Sequence, residues 1–232
     1  MQLHDQGVEE LVRELCVSEA PLKELVLTFT FIGDIGAKHI ADLIEKKPKM
    51  TTVDLESNDV GDEGARHLAK AVAGHKHMRE LFLEDNLVGN VGAKALARVL
   101  QRVKEDFTLV LTNNNVGDPG ALALATALEK NDKMTSFNIN LTRNNVGDEG
   151  AAALQRAIKK KLDADQYAAY LPDIRLPNTS QICKYPFEGK YLHPPPPLPP
   201  APPAAPSPGR YDLVEVEGVN LADCNVSAAF KV

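Results

Sequence analysis

The sequence predicts an α/β solenoid: strand–turn–helix units stacked side by side, a curved parallel sheet inside, helices outside, and a largely disordered proline-rich C-terminal tail. Three observations predict it. A six-residue phrase recurs as IGDIGA from Ile32, VGDEGA from Val60, VGNVGA from Val88, VGDPGA from Val116 and VGDEGA from Val146, at spacings of 28, 28, 28 and 30 residues. Upstream of each copy apolar residues alternate with period two, as in a strand. Downstream the period lengthens to that of an amphipathic helix. Units that cannot bury their apolar face alone must stack to do so.

The elements follow in chain order. Residues 3–15 fit the helical half of a unit: Leu3 holds the anchor position, Gly7 matches Gly64, and Val8, Leu11, Val12 and Leu15 form the buried stripe. This helix has no strand before it. It reads either as a cap or as the remainder of a longer array. If the start is native, strand one (25–29, LVLTF) is an apolar sheet edge, which is a liability in a monomer. The inward strand pairs are Leu25 and Leu27, Val53 and Leu55, Leu81 and Leu83, Leu109 and Leu111, and Ile139 and Leu141. Two residues before each anchor stand Thr30, Asn58, Asn86, Asn114 and Asn144, suited to satisfying backbone groups where the chain leaves the strand. The helix stripes read Ala65, Leu68, Ala69, Val72, then Ala93, Leu96, Ala97, Leu100, then Ala121, Leu124, Ala125, Leu128. Asp62, Asp118 and Asp148 are expected as N-caps and Pro119 as a first-turn proline. Gly61, Gly89, Gly117 and Gly147 are expected to supply unusual turn angles. The last helix runs from about Asp148 to Leu162; its Gln155 stands where earlier helices have Ala, as suits a helix with no further repeat behind it.

These positions resemble the leucine-rich repeat pattern L-x-x-L-x-L-x-x-N, filled in the third unit by Met78, Leu81, Leu83 and Asn86. The unit length and the VGDEGA helix start resemble the ribonuclease-inhibitor-like subtype, found also in Ran GTPase-activating proteins, NOD-like receptors and tropomodulins. The resemblance covers roughly residues 1–162. It implies a binding scaffold rather than an enzyme, although architecture does not fix function.

The domains expected are an array over 1–162 (orphan helix plus five strand–helix repeats), a terminal cover or linker over 163–192, a polyproline segment over 193–210, and a short tail of unknown structure over 211–232. In the cover, Tyr167, Tyr170 and Leu171 are the candidate contacts. Of the 16 prolines, 13 follow residue 162, and ten lie between His193 and Arg210. Such a run favours an extended polyproline II rod. The run Pro196, Pro197, Leu198, Pro199 resembles ligands of a WW-domain class, and the four prolines before Leu198 resemble a profilin ligand; a plain spacer is the competing reading. The apolar-rich end around Leu213, Val214 and Val216 either adds a strand or stays disordered.

Residues between the inward strand positions face outward on the concave sheet. Asp54, Glu56, Glu84 and Asp85 with Phe29 and Phe82 make an acidic surface with aromatic anchors, extended by Thr112, Asn113 and Arg143. The expected partner is a protein with a basic surface. Exposed carboxylates on an open sheet lack the burial that acid–base chemistry uses, so no catalytic residue is expected. The Gly-Asp-Glu-Gly turns lack both the EF-hand pattern and a Walker loop. His75 and His77 have no further ligands in view, and Cys16, Cys183 and Cys224 are too far apart to suggest a metal or disulfide framework; no metal or cofactor is expected. Net charge −6 argues against nucleic acid. The polar N-terminus and the lack of a long apolar run predict a cytoplasmic protein without a membrane role, with cytoskeletal or ciliary association allowed.

The leading functional expectation is a protein–protein interaction scaffold that uses the concave face, with the tail as a polyproline ligand. One alternative is a regulator of a small GTPase, implied by the resemblance to Ran-activating relatives; no polar residue near a nucleotide maps onto this sequence. Another is an actin- or profilin-linked cytoskeletal protein, since repeats joined to polyproline resemble leiomodin. No Leu-Lys-Lys-Thr-type helix follows the proline stretch. A fragment of an innate-immune or ciliary scaffold is a further reading.

Overall fold

In the computed structural model, residues 3–104, 106–134, 137–161 and the backbone of 229–231 are described. The chain runs α1 (His4–Val17), β1 (Glu24–Val26), α2 (Asp34–Lys46), β2 (Thr52–Asp54), α3 (Asp62–Gly74), β3 (Glu80–Phe82), α4 (Asn90–Arg102), β4 (Phe107–Val110), α5 (Asp118–Lys130), β5 (Phe137–Asn140), α6 (Asp148–Lys161) and β6 (Ala229–Lys231). The sheet order is β5-β4-β3-β2-β1-β6. The first five strands pair parallel, with Leu25, Val53, Leu81, Leu109 and Ile139 in register. Consecutive helices pack beside one another, so the architecture is the strand-inside, helix-outside solenoid expected.

The inward pairs of the strands and the helix stripes meet in one continuous core. Leu25, Leu27, Leu55, Leu81, Leu83, Leu68 and Leu96 are fully buried in it. Each such side chain contributes about 1.5–3 kcal/mol relative to exposure. Small residues let the repeats approach: a Cβ on Gly64 would lie 2.9 Å from the Ala37 Cβ, and one on Gly150 2.9 Å from the Ala121 Cβ. The longer fifth spacing is absorbed in the loop after α5. There buried Asn131 donates to the Leu100 and Val103 carbonyls and accepts from the Lys133 and Met134 N–H groups.

A polar ladder runs along the strand exits. Asn58 donates to the Leu27 carbonyl of the preceding repeat and accepts from the Ile32 N–H at 2.9 Å. Asn86 does the same for Leu55 and Val60, and Asn114 for Leu83 and Val88. Asn144 serves Leu111 and Val116. Thr30, in the Asn column of the first repeat, donates its hydroxyl to Asn58 Oδ1 at 3.0 Å.

Several expectations are corrected. The aspartates do not cap their own helices. The N-cap positions are Gly33, Gly61, Gly89 and Gly117, without a side-chain cap bond. Instead Asp34, Asp62 and Asp118 each reach one repeat forward. Asp34 Oδ1 accepts from the Gly61 and Gly64 N–H groups, both at 2.8 Å; Asp62 accepts from Gly89 and Gly92, and Asp118 from Gly147 and Gly150. Asp5 serves Gly33 and Gly36 in the same way, and Asn90 serves Gly117 and Gly120. The N-cap glycines have ordinary extended φ values between −96° and −109°. Glycine is needed for room: a Cβ on Gly61 would lie 3.3 Å from both Asp34 carboxylate oxygens.

Strand one is shorter than expected, at Glu24–Val26, because Phe29 turns the chain in the left-handed region with φ 56°. The sheet is not wholly parallel. Its β1 edge is paired antiparallel by β6, with Val26 opposite Ala229, so the C-terminal end adds a strand. His75, expected on a solvated loop, is half-buried and its Nε2 meets the Lys47 carbonyl oxygen at 3.0 Å. Cys16 packs partly buried against the core, as expected. The 163–192 cover, the Pro196, Pro197, Leu198, Pro199 run and the Tyr167, Tyr170 and Leu171 contacts lie outside the described residues.

Candidate functional site: the concave sheet face

Parallel pairing sets Val26, Asp54, Phe82, Val110 and Asn140 side by side across the sheet. Pairing continues past the strand ends: the N–H groups of Phe29, Ser57, Asp85 and Asn113 donate to the carbonyls of Glu56, Glu84, Thr112 and Thr142. A second row therefore runs Thr28, Glu56, Glu84, Thr112, Thr142. A third row, Phe29, Ser57, Asp85, Asn113 and Arg143, has φ between 49° and 57° throughout. Left-handed backbone is uncommon outside glycine and least costly for Asn and Asp, so Phe29 there is a strained exception.

The structure brings the four carboxylates together. Burial pushes the Asp54 carboxyl above its ordinary value, partly offset by the Glu56 N–H that donates to Asp54 Oδ1 at 3.0 Å. Burial also raises Glu56, with Asp54 and Asp85 adding repulsion. Glu84 is raised by burial and then by the charges of Glu56, Asp54 and Asp85. Among the described residues none of the four forms an ion pair. The face thus holds several negative charges in a half-buried setting where water screens them less. Asn113 Nδ2 donates to Asp85 Oδ1, tying the third row across β3 and β4.

The aromatic part of the expectation is only half realised. Phe82 is half-buried among these carboxylates and not an exposed anchor. Phe29 is 63% exposed, but it stands in the turn beyond β1, two strands away, and makes no ring contact with Phe82 among the described residues. Arg143 is exposed at the far end of the third row. Sequence reasoning missed a second exposed group, Phe31, Ile35, Leu87 and Val91, on the strand-to-helix rim. Aligning the repeats reveals it, because the same columns hold Asp59, Glu63, Asn115 and Pro119 elsewhere.

Among the described residues no cluster of His, Cys, Asp and Glu has the geometry to hold a metal ion, and no helix is long and apolar enough to cross a membrane.

Comparison with known proteins gives the following. A leucine-rich-repeat family model matches residues 46–69, 74–97, 108–125 and 135–154. Repeats of this family are structural protein-interaction modules and not catalysts. No curated protein matches the chain. A solved structure of leiomodin-1 actin-binding site 2 superimposes with a TM-score of 0.50 at 14% identity, covering 70% of this chain and 94% of that one. The tropomodulin C-terminal domain of Caenorhabditis elegans superimposes with a TM-score of 0.51 at 17% identity, covering 66% and 92%. At these identities the likeness is one of fold.

Proposed function

We propose, from the premise that residues 3–161 form a leucine-rich-repeat solenoid, that the chain is a cytoskeletal interaction module whose acidic concave face receives a basic segment of a protein partner, with actin or an actin-associated protein as the partner class. One observation carries the reading: half-buried Asp54, Glu56 and Glu84 and exposed Asp85 are gathered on one face with no ion-pair partner among the described residues. A cation arriving there relieves mutual repulsion. The actin-related choice is supported by the two solved structures of like fold, one an actin-binding site by description. They favour it over a regulator of a small GTPase and over a scaffold without a named pathway. The ribonuclease-inhibitor-like subtype rests on the unit length and the VGDEGA helix start, and a cytoplasmic location on the sequence alone.

The test is co-sedimentation of the full chain with filamentous actin, and surface-immobilised titration with monomeric actin, at low and physiological salt. Binding that weakens with salt and falls at least about tenfold in the Glu56→Gln/Glu84→Gln/Asp85→Asn variant is the expected result, equivalent to about 1.4 kcal/mol. Absence of binding by the intact chain removes the actin reading; binding indifferent to the triple variant removes the concave face as its seat. A separate profilin or WW-domain titration tests Pro196, Pro197, Leu198 and Pro199 as a polyproline ligand.

A further inference from the structure

The strand-to-helix rim carries an exposed pattern that the concave face does not explain. Phe31 and Ile35 in the first repeat are 46% and 63% exposed; Leu87 and Val91, in the same columns two repeats on, are 54% and 58% exposed. Between them the second repeat places Asp59 and Glu63, both exposed. Neighbouring strands are about 4.8 Å apart and packed helices about 8–10 Å, so two apolar pairs set two repeats apart are separated by roughly 10–20 Å. Large apolar side chains exposed in a repeating arrangement, with charge between them, mark a contact surface more than scattered ones do.

The central charge decides the occupant. A two-fold dimer of this chain through the rim would set the first-repeat pair against the third-repeat pair of its copy. It would also place Asp59 and Glu63 against themselves, which like charges disfavour. Glu63 is already answered by Arg66 at 2.7 Å, whereas Asp59 has no ion pair among the described residues. The outstanding demand is for a single cation flanked by apolar groups. A helix rises about 1.5 Å per residue, so side chains seven to eleven residues apart span about 10–16 Å with a residue midway on the same face.

We propose that the rim formed by Phe31, Ile35, Asp59, Glu63, Leu87 and Val91 docks an amphipathic helix of a partner protein, with two apolar residues about two to three turns apart and one Lys or Arg between them. The apolar residues cover the Phe31/Ile35 and Leu87/Val91 pairs, and the cation meets Asp59. One turn further along the helices Lys38, Arg66 and Lys94 are exposed, which orients the ligand with any acidic flank toward them. This surface lies two residues beyond the third row of the sheet face and uses different side chains.

The probe is a labelled synthetic helical peptide of about sixteen residues with Leu at two positions eight apart and Arg midway, compared with a twin bearing Glu in place of Arg, on the full chain. The expected result is saturable binding of the Arg peptide, at least about tenfold tighter than the Glu twin. Leu87→Ser/Val91→Ser and Ile35→Asp should each reduce it about tenfold at unchanged circular dichroism. Asp59→Asn should erase the preference between peptides, while Glu84→Gln leaves binding alone, which separates this rim from the concave face. Failure of both peptides to bind, or binding that survives the two rim variants, overturns the proposal. So does sedimentation showing a dimer that Leu87→Ser/Val91→Ser dissolves, since a second copy would then be the occupant.

Discussion

Replacing Asn58 by Ala removes one of the side chains that join the first two repeats, and the structure allows the loss to be counted group by group. Asn58 donates to the Leu27, Leu55 and Glu56 carbonyls. In the variant each of those oxygens has another donor: the Thr30 hydroxyl, freed from Asn58 Oδ1, for Leu27, Asn86 Nδ2 for Leu55, and the Phe29 N–H for Glu56. The acceptor side is different. Asn58 Oδ1 is the acceptor for the Ile32 N–H at 2.9 Å and the Thr30 N–H at 3.2 Å, and both residues are buried. A buried donor left unpaired costs about 1–3 kcal/mol, so two cost about 2–6, and partial relaxation brings the expected loss near 3 kcal/mol. The internal comparison is Asn144→Ala at the other end of the ladder. There a single buried donor, the Val116 N–H, loses its acceptor instead of two, so about 1–2 kcal/mol is expected. Urea unfolding followed by far-ultraviolet circular dichroism measures both, with an unchanged denaturant slope confirming that stability and not compactness has moved. A loss below about 1 kcal/mol for Asn58→Ala, or an equal loss for the two variants, would refute the reasoning that orphaned N–H groups set the cost.

Three further outcomes follow from the same geometry. Asp62→Ala should destabilise by about 1–2 kcal/mol through the lost bonds to the Gly89 and Gly92 N–H groups; Asp62→Asn should cost less than about 1 kcal/mol, because Asn90 makes the same pair of bonds in the next repeat. Gly64→Ala should cost about 1–3 kcal/mol, since its Cβ would meet Asp34 Oδ1 at 2.7 Å, while Gly74→Ala, with open space around it, should stabilise by about 0.5–1 kcal/mol; thermal unfolding of the pair tests the contrast. Finally, Asp54, Glu56 and Glu84 are raised in the folded state, so the native chain holds more protons than the unfolded one between the ordinary carboxyl values and the raised ones. Their contribution to stability is therefore lost as pH rises through that window and regained as pH falls, and Asp54→Asn/Glu56→Gln/Glu84→Gln should raise Tm at neutral pH and flatten its dependence; a steeper dependence in the variant would contradict the sign.

The unit boundaries, the core stripe and the type of every element through α6 were legible in the sequence. Repetition at near-constant spacing turns a weak local pattern into a register, and the spacing by itself aligns Leu25, Val53, Leu81, Leu109 and Ile139. The carboxylate cluster followed from that register, because alternation fixes which strand residues face outward. What only the tertiary structure decided depends on which neighbour a side chain reaches. An aspartate at a helix start reads locally as its own cap; stacking turns Asp34, Asp62 and Asp118 onto the next repeat's amides, and that contact, not backbone freedom, demands Gly61 and Gly64. Read alone, Phe31 and Ile35 look like an extension of the apolar anchor around Ile32; the aligned columns, polar in other repeats, mark them as outward, and the turn geometry leaves them exposed while Ile32 is buried. The antiparallel β6 on the β1 edge joins segments more than two hundred residues apart, a pairing that no local periodicity can encode. Patterns of period two and 3.6 specify elements and faces; contacts one repeat away or across the whole chain arise from packing, and they set the caps, the open rim and the closed edge.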